Sequence, residues 1–143
     1  MNVKVFIDSN IFIYGYSNND EIKKTTTIKW LEKYDCISST QAINELSNVF
    51  LRRYNYDVEQ VKNIISEIQA YCDVRLINID VIKHALNIHE KYGYSYYDCL
   101  MLSAAIQNNC AYIFSEDMQD GQKIDGLEIV NIFERGVIND SSN

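Results

Sequence analysis

The chain has 143 residues and a formal net charge of −7, with 47% hydrophobic and 23% charged residues. This length fits one domain, and the composition is that of a globular protein and not of a disordered chain. No run approaches the roughly 18 apolar residues of a membrane span, and the start of the chain makes a poor signal peptide. We therefore expect a cytoplasmic protein without a membrane partner. The acidic balance argues against a basic surface that binds nucleic acid, although carboxylates that hold a metal can still admit a phosphodiester.

Short apolar strand patterns alternate with helical patterns along the chain. The strand patterns are uniformly apolar, which is typical of a parallel sheet covered on both faces. We expect an α/β fold with four to five strands, in one domain over residues 1–139 followed by a polar tail at 140–143. In chain order we predict strand Val3–Ile7, helix Glu21–Tyr34, strand Asp35–Ser38, helices Thr40–Tyr54 and Asp57–Tyr71, strand Val74–Ile77, helices Asp80–Tyr92 and Ser95–Gln107, strand Ala111–Phe114, loop Ser115–Gly126 and strand Leu127–Val130.

The cysteines and histidines do not form a metal-binding pattern. No two cysteines have CxxC spacing, and His84 and His89 are five residues apart. That spacing does not place both imidazoles on one helix face. We therefore expect no zinc site. Reduced and mostly buried thiols are expected for Cys36, Cys72, Cys99 and Cys110.

Four acidic residues fall where an open α/β sheet binds its ligands, outside the carboxyl ends of the strands. Asp8 directly follows the first strand, Asp117 comes three residues after the fourth, and Glu45 lies in the helix after the second. Asp98 begins a later helix and joins them only if that helix points to the same edge. Carboxylates from separate strand ends can hold Mg²⁺ or Mn²⁺. Such an ion activates a bound water and stabilises charge on a phosphate.

Each of these acids also has a purely structural interpretation. Asp8 could cap the helix that follows it, and Glu45 could be a solvated helix residue. Asp98 belongs to a capping box that begins at Ser95, and Asp117 could be a turn residue. The prediction of a metal site therefore depends on the four acids occurring together.

Four segments of the chain together resemble the PIN domain, the nuclease fold of VapC-type toxins. They are FIDSNIFIY (Phe6–Tyr14), STQAINEL (Ser39–Leu46), YSYYDCLMLSAA (Tyr94–Ala105) and YIFSEDMQDG (Tyr112–Gly121), in the family's order and at its spacing. The resemblance implies a metal-dependent endoribonuclease that uses Mg²⁺ or Mn²⁺ to cut single-stranded or looped RNA. It also implies a homodimer that is held inactive by a small antitoxin protein.

Carried over residue by residue, the resemblance implies both catalytic and metal-binding roles for an acidic quartet of Asp8, Glu45, Asp98 and Asp117. It implies supporting roles for further residues of the first and last segments, namely Asn10, Ser115, Glu116 and Asp120.

Contacts with the substrate are less strongly indicated. Two basic pairs could hold phosphates beside the cut, although solvated helix faces are the simpler interpretation; they are Lys23 with Lys24 and Arg52 with Arg53. Single-stranded RNA binders stack bases on aromatic rings, but core packing is the commoner use of tyrosine. The tyrosines open to both interpretations are Tyr92, Tyr94, Tyr96 and Tyr97.

Two other functions compete with the ribonuclease. A phosphatase of the haloacid-dehalogenase type would use Asp8 itself as nucleophile. The second acid of that family would fall at position 10, which is Asn10, and no basic residue on a later strand stands out. A catalytically silent PIN-like binding module is the other alternative, and the complete quartet argues against it.

Overall fold

The first strand, β1 (Lys4–Ile7), explains why the sheet carries helices on both faces. Val5, Phe6 and Ile7 are fully buried. Successive side chains of a strand point to opposite faces of the sheet. Phe6 accordingly packs in one apolar cluster, while Val5 and Ile7 pack in another. A strand that is apolar at every position has to be covered on both sides.

The computed structural model describes residues 3–135. The remaining strands in this range are β2 (Asp35–Ser39), β3 (Cys72–Arg75), β4 (Tyr112–Phe114), β5 (Lys123–Ile124) and β6 (Leu127–Val130). The helices are α1 (Ser9–Tyr16), α2 (Glu21–Leu31), α3 (Thr40–Arg52), α4 (Val58–Tyr71), α5 (Ile79–Tyr92), α6 (Tyr96–Gln107) and α7 (Ile132–Arg135). None of these helices is long and apolar enough to cross a membrane.

The strands lie in the order β3-β2-β1-β4-β6-β5, and all neighbours are parallel except β5 and β6. Val5 of β1 pairs with Cys36 of β2 and with Tyr112 of β4. The carboxyl ends of these three strands therefore open on one edge of the sheet, where α1, α3 and the loop after β4 begin. This architecture confirms the predicted α/β fold with a short parallel sheet between helices.

Helix α6 is buried on all sides. Every residue from Cys99 to Ala105 is buried, because α6 packs against the sheet as well as against α3 and α5. A helix that is apolar all round is typical of such an interior position. Its polar first turn, which carries Asp98, is the part that reaches the edge of the sheet.

The structure differs from the predicted elements in several places. Helix α1 follows β1 directly and α7 follows β6, and neither was assigned from the sequence. Strand β3 begins two residues before the predicted Val74–Ile77, since Cys72 directly follows α4 and pairs with Cys36. The described range contains six strands, because β5 lies in the segment Ser115–Gly126 that was predicted as a loop.

A tight hairpin turn explains the extra strand. Asp125 and Gly126 both have positive φ, at 49° and 86°, and they join β5 to β6. Asp-Gly is a preferred pair for two-residue hairpins because the favoured turn needs this backbone conformation. The pair is therefore a local signal for a hairpin within the segment that was expected to be a loop. The predicted end of the domain at residue 139 and the tail at 140–143 lie outside the described residues.

Candidate metal and active site

Asp8 follows the carboxyl end of β1 and caps α1. The residue at the strand end that was considered for the metal site is therefore also a helix cap. The backbone N–H of Ser9 donates a hydrogen bond of 2.7 Å to Oδ1 of Asp8. The hydroxyl of Ser115 donates one of 2.7 Å to Oδ2. With both oxygens held and only 2% of the residue exposed, the carboxylate has a fixed direction.

The structure brings three of the four predicted acids together. One carboxylate oxygen from each of Asp8, Asp98 and Asp117 lies within 4.8 Å of the other two. Asp98 reaches the group because the first turn of α6 points to the carboxyl edge of the sheet, which the sequence could not show. Asp8 is buried, Asp98 is half-buried and Asp117 is exposed, so the group opens to solvent on one side.

Asn10 and Ser115 connect the first segment of the site to the last. The Asn10 amide Nδ2 donates a 2.9 Å hydrogen bond to Oδ2 of Asp117. Its Oδ1 accepts a 3.3 Å bond from the backbone N–H of Glu116. The hydroxyl of Ser115 accepts a 3.3 Å bond from the N–H of Asp117 while it donates to Asp8. Both residues therefore hold carboxylates of this group in place, and their roles in a reaction stay predictions.

Glu45 lies beside this group without belonging to it. The Ser9 hydroxyl donates a 2.9 Å bond to its Oε1, and the Gln41 amide donates a 3.1 Å bond to its Oε2. The charge of Glu45 acts on both Asp8 and Asp98 and raises the pKa of each. Ser9 was not singled out from the sequence, although its place directly after Asp8 was a signal that it could face the site.

Burial and mutual repulsion make the metal-free site electrostatically unfavourable. The pKa of Asp8 is raised from 3.8 to about 7, mainly by burial and also by the charges of Asp98 and Glu45, while the hydrogen bonds from Ser115 and Ser9 lower it in part. Burial also raises the pKa of Asp98, as do the charges of Asp117 and Glu45. These are the effects expected when carboxylates cluster in a poorly solvated place.

The donor set fits a hard divalent cation. All three gathered side chains offer carboxylate oxygen, the ligand that Mg²⁺ and Mn²⁺ prefer. The donors that hold Asp8 are an N–H and a hydroxyl, both neutral. The neighbouring charges that act most on the pKa of Asp8 and of Asp98 are all negative. A bound cation would therefore supply the missing positive charge, and Asp8, Asp98 and Asp117 are the residues placed to hold it.

The other acids of the last segment face away from the group. Asp120 accepts a 2.8 Å hydrogen bond from the backbone N–H of Asn131 and a 3.1 Å bond from Nε of Arg135. It therefore ties its loop to the start of α7. Glu116 accepts a 2.7 Å bond from the Tyr14 hydroxyl and forms an ion pair with Lys23. Neither carboxylate is one of the three gathered at the site.

The basic residues that were considered for phosphate binding have mixed surroundings. Lys23 is engaged by Glu116, and Lys24 donates a 2.8 Å hydrogen bond to the side chain of Asn18. Arg52 and Arg53 are exposed at the end of α3, about two turns beyond Glu45. Contact between any of the four and a substrate stays a prediction.

Three of the four clustered tyrosines have core contacts. Tyr92, Tyr94 and Tyr96 pack against the apolar cluster around α6, whereas Tyr97 is 58% exposed. The Tyr94 hydroxyl also accepts a 3.1 Å hydrogen bond from the N–H of Gln119. Tyr97, next to Asp98, is thus the member of the cluster best exposed to stack on a base.

The remaining titratable groups have structural surroundings. All four cysteines are free and buried, as expected. His84 lies 3.0 Å from the Ser103 hydroxyl and 3.8 Å from Oδ2 of Asp125, the residue types of a hydrolase triad. Ser103 is fully buried and donates a 2.8 Å hydrogen bond to the carbonyl of Val81. A substrate therefore has no access to that hydroxyl.

We predict that metal-free protein loses stability as the pH rises from about 4 to about 7. The folded protein keeps the Asp8 proton up to about pH 7, whereas the unfolded chain releases it near the ordinary value of 3.8. This difference corresponds to at most about 4 kcal/mol above pH 7. Asp8→Asn removes this penalty. Denaturant unfolding in EDTA should show the variant gaining stability over the wild type as the pH rises.

The control for this prediction is Asp120→Asn, which changes an acid of the last segment outside the cluster. It should lower the free energy of unfolding by a similar amount at each pH, so that its profile runs parallel to that of the wild type. A constant difference between Asp8→Asn and the wild type across this pH range would contradict the prediction.

The family model of the PIN domain matches residues 5–124. No curated protein sequence matches the chain significantly. Among solved structures, VapC20 of Mycobacterium tuberculosis, described as a toxin that cleaves the sarcin-ricin loop, is 14% identical with a TM-score of 0.66. That match covers 94% of this chain and 96% of that chain.

Two further structures show the same likeness. A toxin–antitoxin complex from Klebsiella pneumoniae is 17% identical with a TM-score of 0.67, and the match covers 86% of this chain and 94% of that chain. FitAcB from Neisseria gonorrhoeae is 11% identical with a TM-score of 0.62, and the match covers 90% of this chain and 98% of that chain. At these identities the likeness establishes the fold, and the family model establishes the family. The chain belongs to the PIN domain family.

Proposed function

We propose that the protein is a metal-dependent endoribonuclease and the toxin of a toxin–antitoxin pair. The observation that carries the proposal is the gathering of the Asp8, Asp98 and Asp117 carboxylates within 4.8 Å at the carboxyl edge of the sheet. Membership of the PIN domain family supports a nuclease. The similar structures include VapC20, described as a toxin that cleaves an RNA loop, and toxin–antitoxin complexes.

The residues around the cluster fix the directions of the carboxylates that this chemistry would use. When bound, Mg²⁺ or Mn²⁺ would lower the pKa of a water and offset charge on the phosphate. Ser9 and Ser115 fix the direction of the Asp8 carboxylate, and Asn10 fixes that of Asp117. Glu45 is held by Ser9 and Gln41 at the border of the cluster. In this proposal Glu45 accepts the proton of the attacking water at a carboxylate oxygen.

We expect Mn²⁺ to stabilise the wild-type protein and to support cleavage of an RNA pool rich in loops. Saturation to 100 times the dissociation constant corresponds to about 2.7 kcal/mol, or several degrees in Tm. Asp8→Asn and Asp98→Asn should lose the thermal shift and lower cleavage by about a hundredfold or more, because each removes a ligand. EDTA should abolish cleavage. The measurements are thermal unfolding with Mn²⁺ and gel analysis of the RNA.

Two further variants sharpen this experiment. Asp120→Asn is the matched control and should retain both the Mn²⁺ shift and the cleavage. Glu45→Gln should lower cleavage while most of the Mn²⁺ shift remains, because Glu45 is not among the three gathered carboxylates. Full cleavage by Asp8→Asn protein would refute the ribonuclease proposal. A wild type without any Mn²⁺ shift would favour the binding-module alternative.

The antitoxin is proposed to bind in a recess of about 400 Å³ between α1, α2 and α4. Phe12, Tyr16 and Tyr71 give the recess a mainly apolar lining, and Glu67 adds negative charge. Thr27 also lines the recess, and its buried hydroxyl has no hydrogen-bond partner. These features suit an apolar side chain of the antitoxin flanked by a basic residue. Relatives of similar fold occur in toxin–antitoxin complexes.

We expect Ile28→Asp to weaken binding of the protein encoded by the neighbouring gene by about tenfold or more. Ile28 lines the recess and is 46% exposed, so a charge there acts on the partner while the fold tolerates it. Ile22→Asp on the same helix is the matched control, since Ile22 is 81% exposed and lies outside the recess. Calorimetry measures both. Equal affinities of the two variants would place the partner elsewhere.

A homodimer is proposed through the outer face of α5. Ile79 and Leu86 are seven residues apart on one side of this helix and are 65% and 51% exposed. Leu76, just before the helix, is 80% exposed. The opposite side of α5, with Val81 and Ala85, is already buried in the core. A second copy of the chain would remove the outer apolar groups from water.

Sedimentation velocity tests this interface. The wild type should sediment as a dimer at tens of micromolar protein, and Leu86→Asp should shift it to the monomer because burial of a charge disfavours the contact. Ile22→Asp, on α2, should remain dimeric. A monomeric wild type, or a dimeric Leu86→Asp protein, would contradict the proposal.

A further inference from the structure

Glu116 is bound by residues of α1 and α2, and an aromatic ring of α7 lies beside its lysine partner. The Tyr14 hydroxyl of α1 donates a 2.7 Å hydrogen bond to its Oε1, and Lys23 of α2 forms an ion pair with its Oε2. The Lys23 ammonium lies 4.4 Å from the centre of the Tyr14 ring and 5.1 Å from that of Phe133 in α7. We call Tyr14, Lys23 and Phe133, with Glu116 at their centre, the Glu116 clamp.

Lys23, which the sequence suggested for phosphate binding, is already bound by protein groups in the clamp. Besides the ion pair, Lys23 Nζ donates a 3.2 Å hydrogen bond to the Tyr14 hydroxyl. The Tyr14 and Phe133 rings meet edge to face at a centroid distance of 5.1 Å, and the ammonium lies beside both rings. Ion pairing and cation–π attraction both favour this position over one in solvent. Release of Lys23 to an RNA phosphate would break all of these contacts.

The clamp is adjacent in the chain to a residue of the acidic cluster. The Glu116 carboxylate binds Tyr14 and Lys23, whereas the carboxylate of the next residue, Asp117, belongs to the cluster. The N–H of Glu116 donates to Asn10 Oδ1, and Nδ2 of the same amide holds the Asp117 carboxylate. A shift of Glu116 would therefore move both the backbone before Asp117 and the amide that orients its carboxylate.

We propose that Lys23 and Glu116 are positioning residues that fix Asp117 in the acidic cluster through the Glu116 clamp. The inference rests on the proposed function, since it concerns the same carboxylates. It assigns Lys23 a role in building the cation site instead of one in binding the substrate. It assigns Glu116 a role outside the set of metal ligands.

Mn²⁺ affinity distinguishes positioning from simple charge effects. Removal of a nearby positive charge alone would strengthen binding of a cation. If Lys23 positions Asp117, Lys23→Gln should instead weaken Mn²⁺ binding by about tenfold, the loss typical of residues that orient a metal ligand. Lys29→Gln makes the same change of charge at an exposed position of α2 and should leave affinity unchanged. Calorimetric titration of the full chain with Mn²⁺ measures both.

Two further variants test the clamp as a unit. Lys23→Arg keeps the charge and can stay against the rings, so it should restore most of the affinity lost in Lys23→Gln. Glu116→Gln should weaken binding about as much as Lys23→Gln, and the double variant should be no weaker than either, because all of them break one pair. Unchanged or tighter Mn²⁺ binding by Lys23→Gln would overturn the proposal, as would additive losses in the double variant.

Hydrogen exchange of the metal-free protein separates failure of the clamp from failure of the proposed function. Amides of residues 115–120 should exchange faster in Lys23→Gln than in the wild type or Lys29→Gln. If the wild type binds no Mn²⁺, the proposed function fails, and the exchange result alone decides the clamp. Faster exchange confined to this segment then supports it, and unchanged exchange overturns it.

Discussion

The buried carboxylate of Asp8, at the end of the central strand, is the constraint on which the rest of the site depends. It stands where β1 ends and α1 begins, and only neutral groups donate to it. A carboxylate in such a place has to take up a proton or meet a cation, because burial disfavours the charged form. Further acidic side chains lie nearby, and their negative charges make ionisation of Asp8 still less favourable. The arrangement weakens the metal-free fold and is suited to a cation.

The loop after β4 contains three acidic residues within five positions, and each of them has different contacts. Asp117 joins the cluster, Glu116 is clamped on the opposite side, and Asp120 binds the start of α7. Acidic side chains thus join the carboxylate cluster, form an ion pair and accept a backbone N–H within one short segment. The three carboxylates differ in the direction in which the backbone presents them and in the residues that they contact.

Much of the fold could be predicted because its signals are local. Apolar strand patterns, helical spacing and the capping residues identified most elements to within a few residues. The Asp125-Gly126 turn is also a local signal, and strand β5 is missing from the prediction because this turn was not recognised. The position of Asp98 could not be predicted in this way, since it depends on how α6 packs between the sheet and α5, a contact between segments far apart in the chain.

The candidate site shows the same division. The resemblance to the family named the acids, and the sequence order placed Asp8 and Asp117 at strand ends. Composition and spacing could not show that Lys23 lies against Glu116, 93 positions further along the chain. Nor could they show that Ser9 reaches Glu45. Such contacts arise because β1 lies between β2 and β4, which brings the segments that follow these three strands side by side.

The short β5–β6 hairpin has a consequence for the behaviour of the protein at high concentration. Strand β5 has only two residues, and it pairs antiparallel along the otherwise open side of β6. Open strands offer unpaired amides and carbonyls to other chains and so promote aggregation. Because β5 covers β6 and is itself too short to serve as a template, stacking of further strands at this border of the sheet is blocked. The hairpin thereby contributes to solubility without supplying a residue to the acidic cluster.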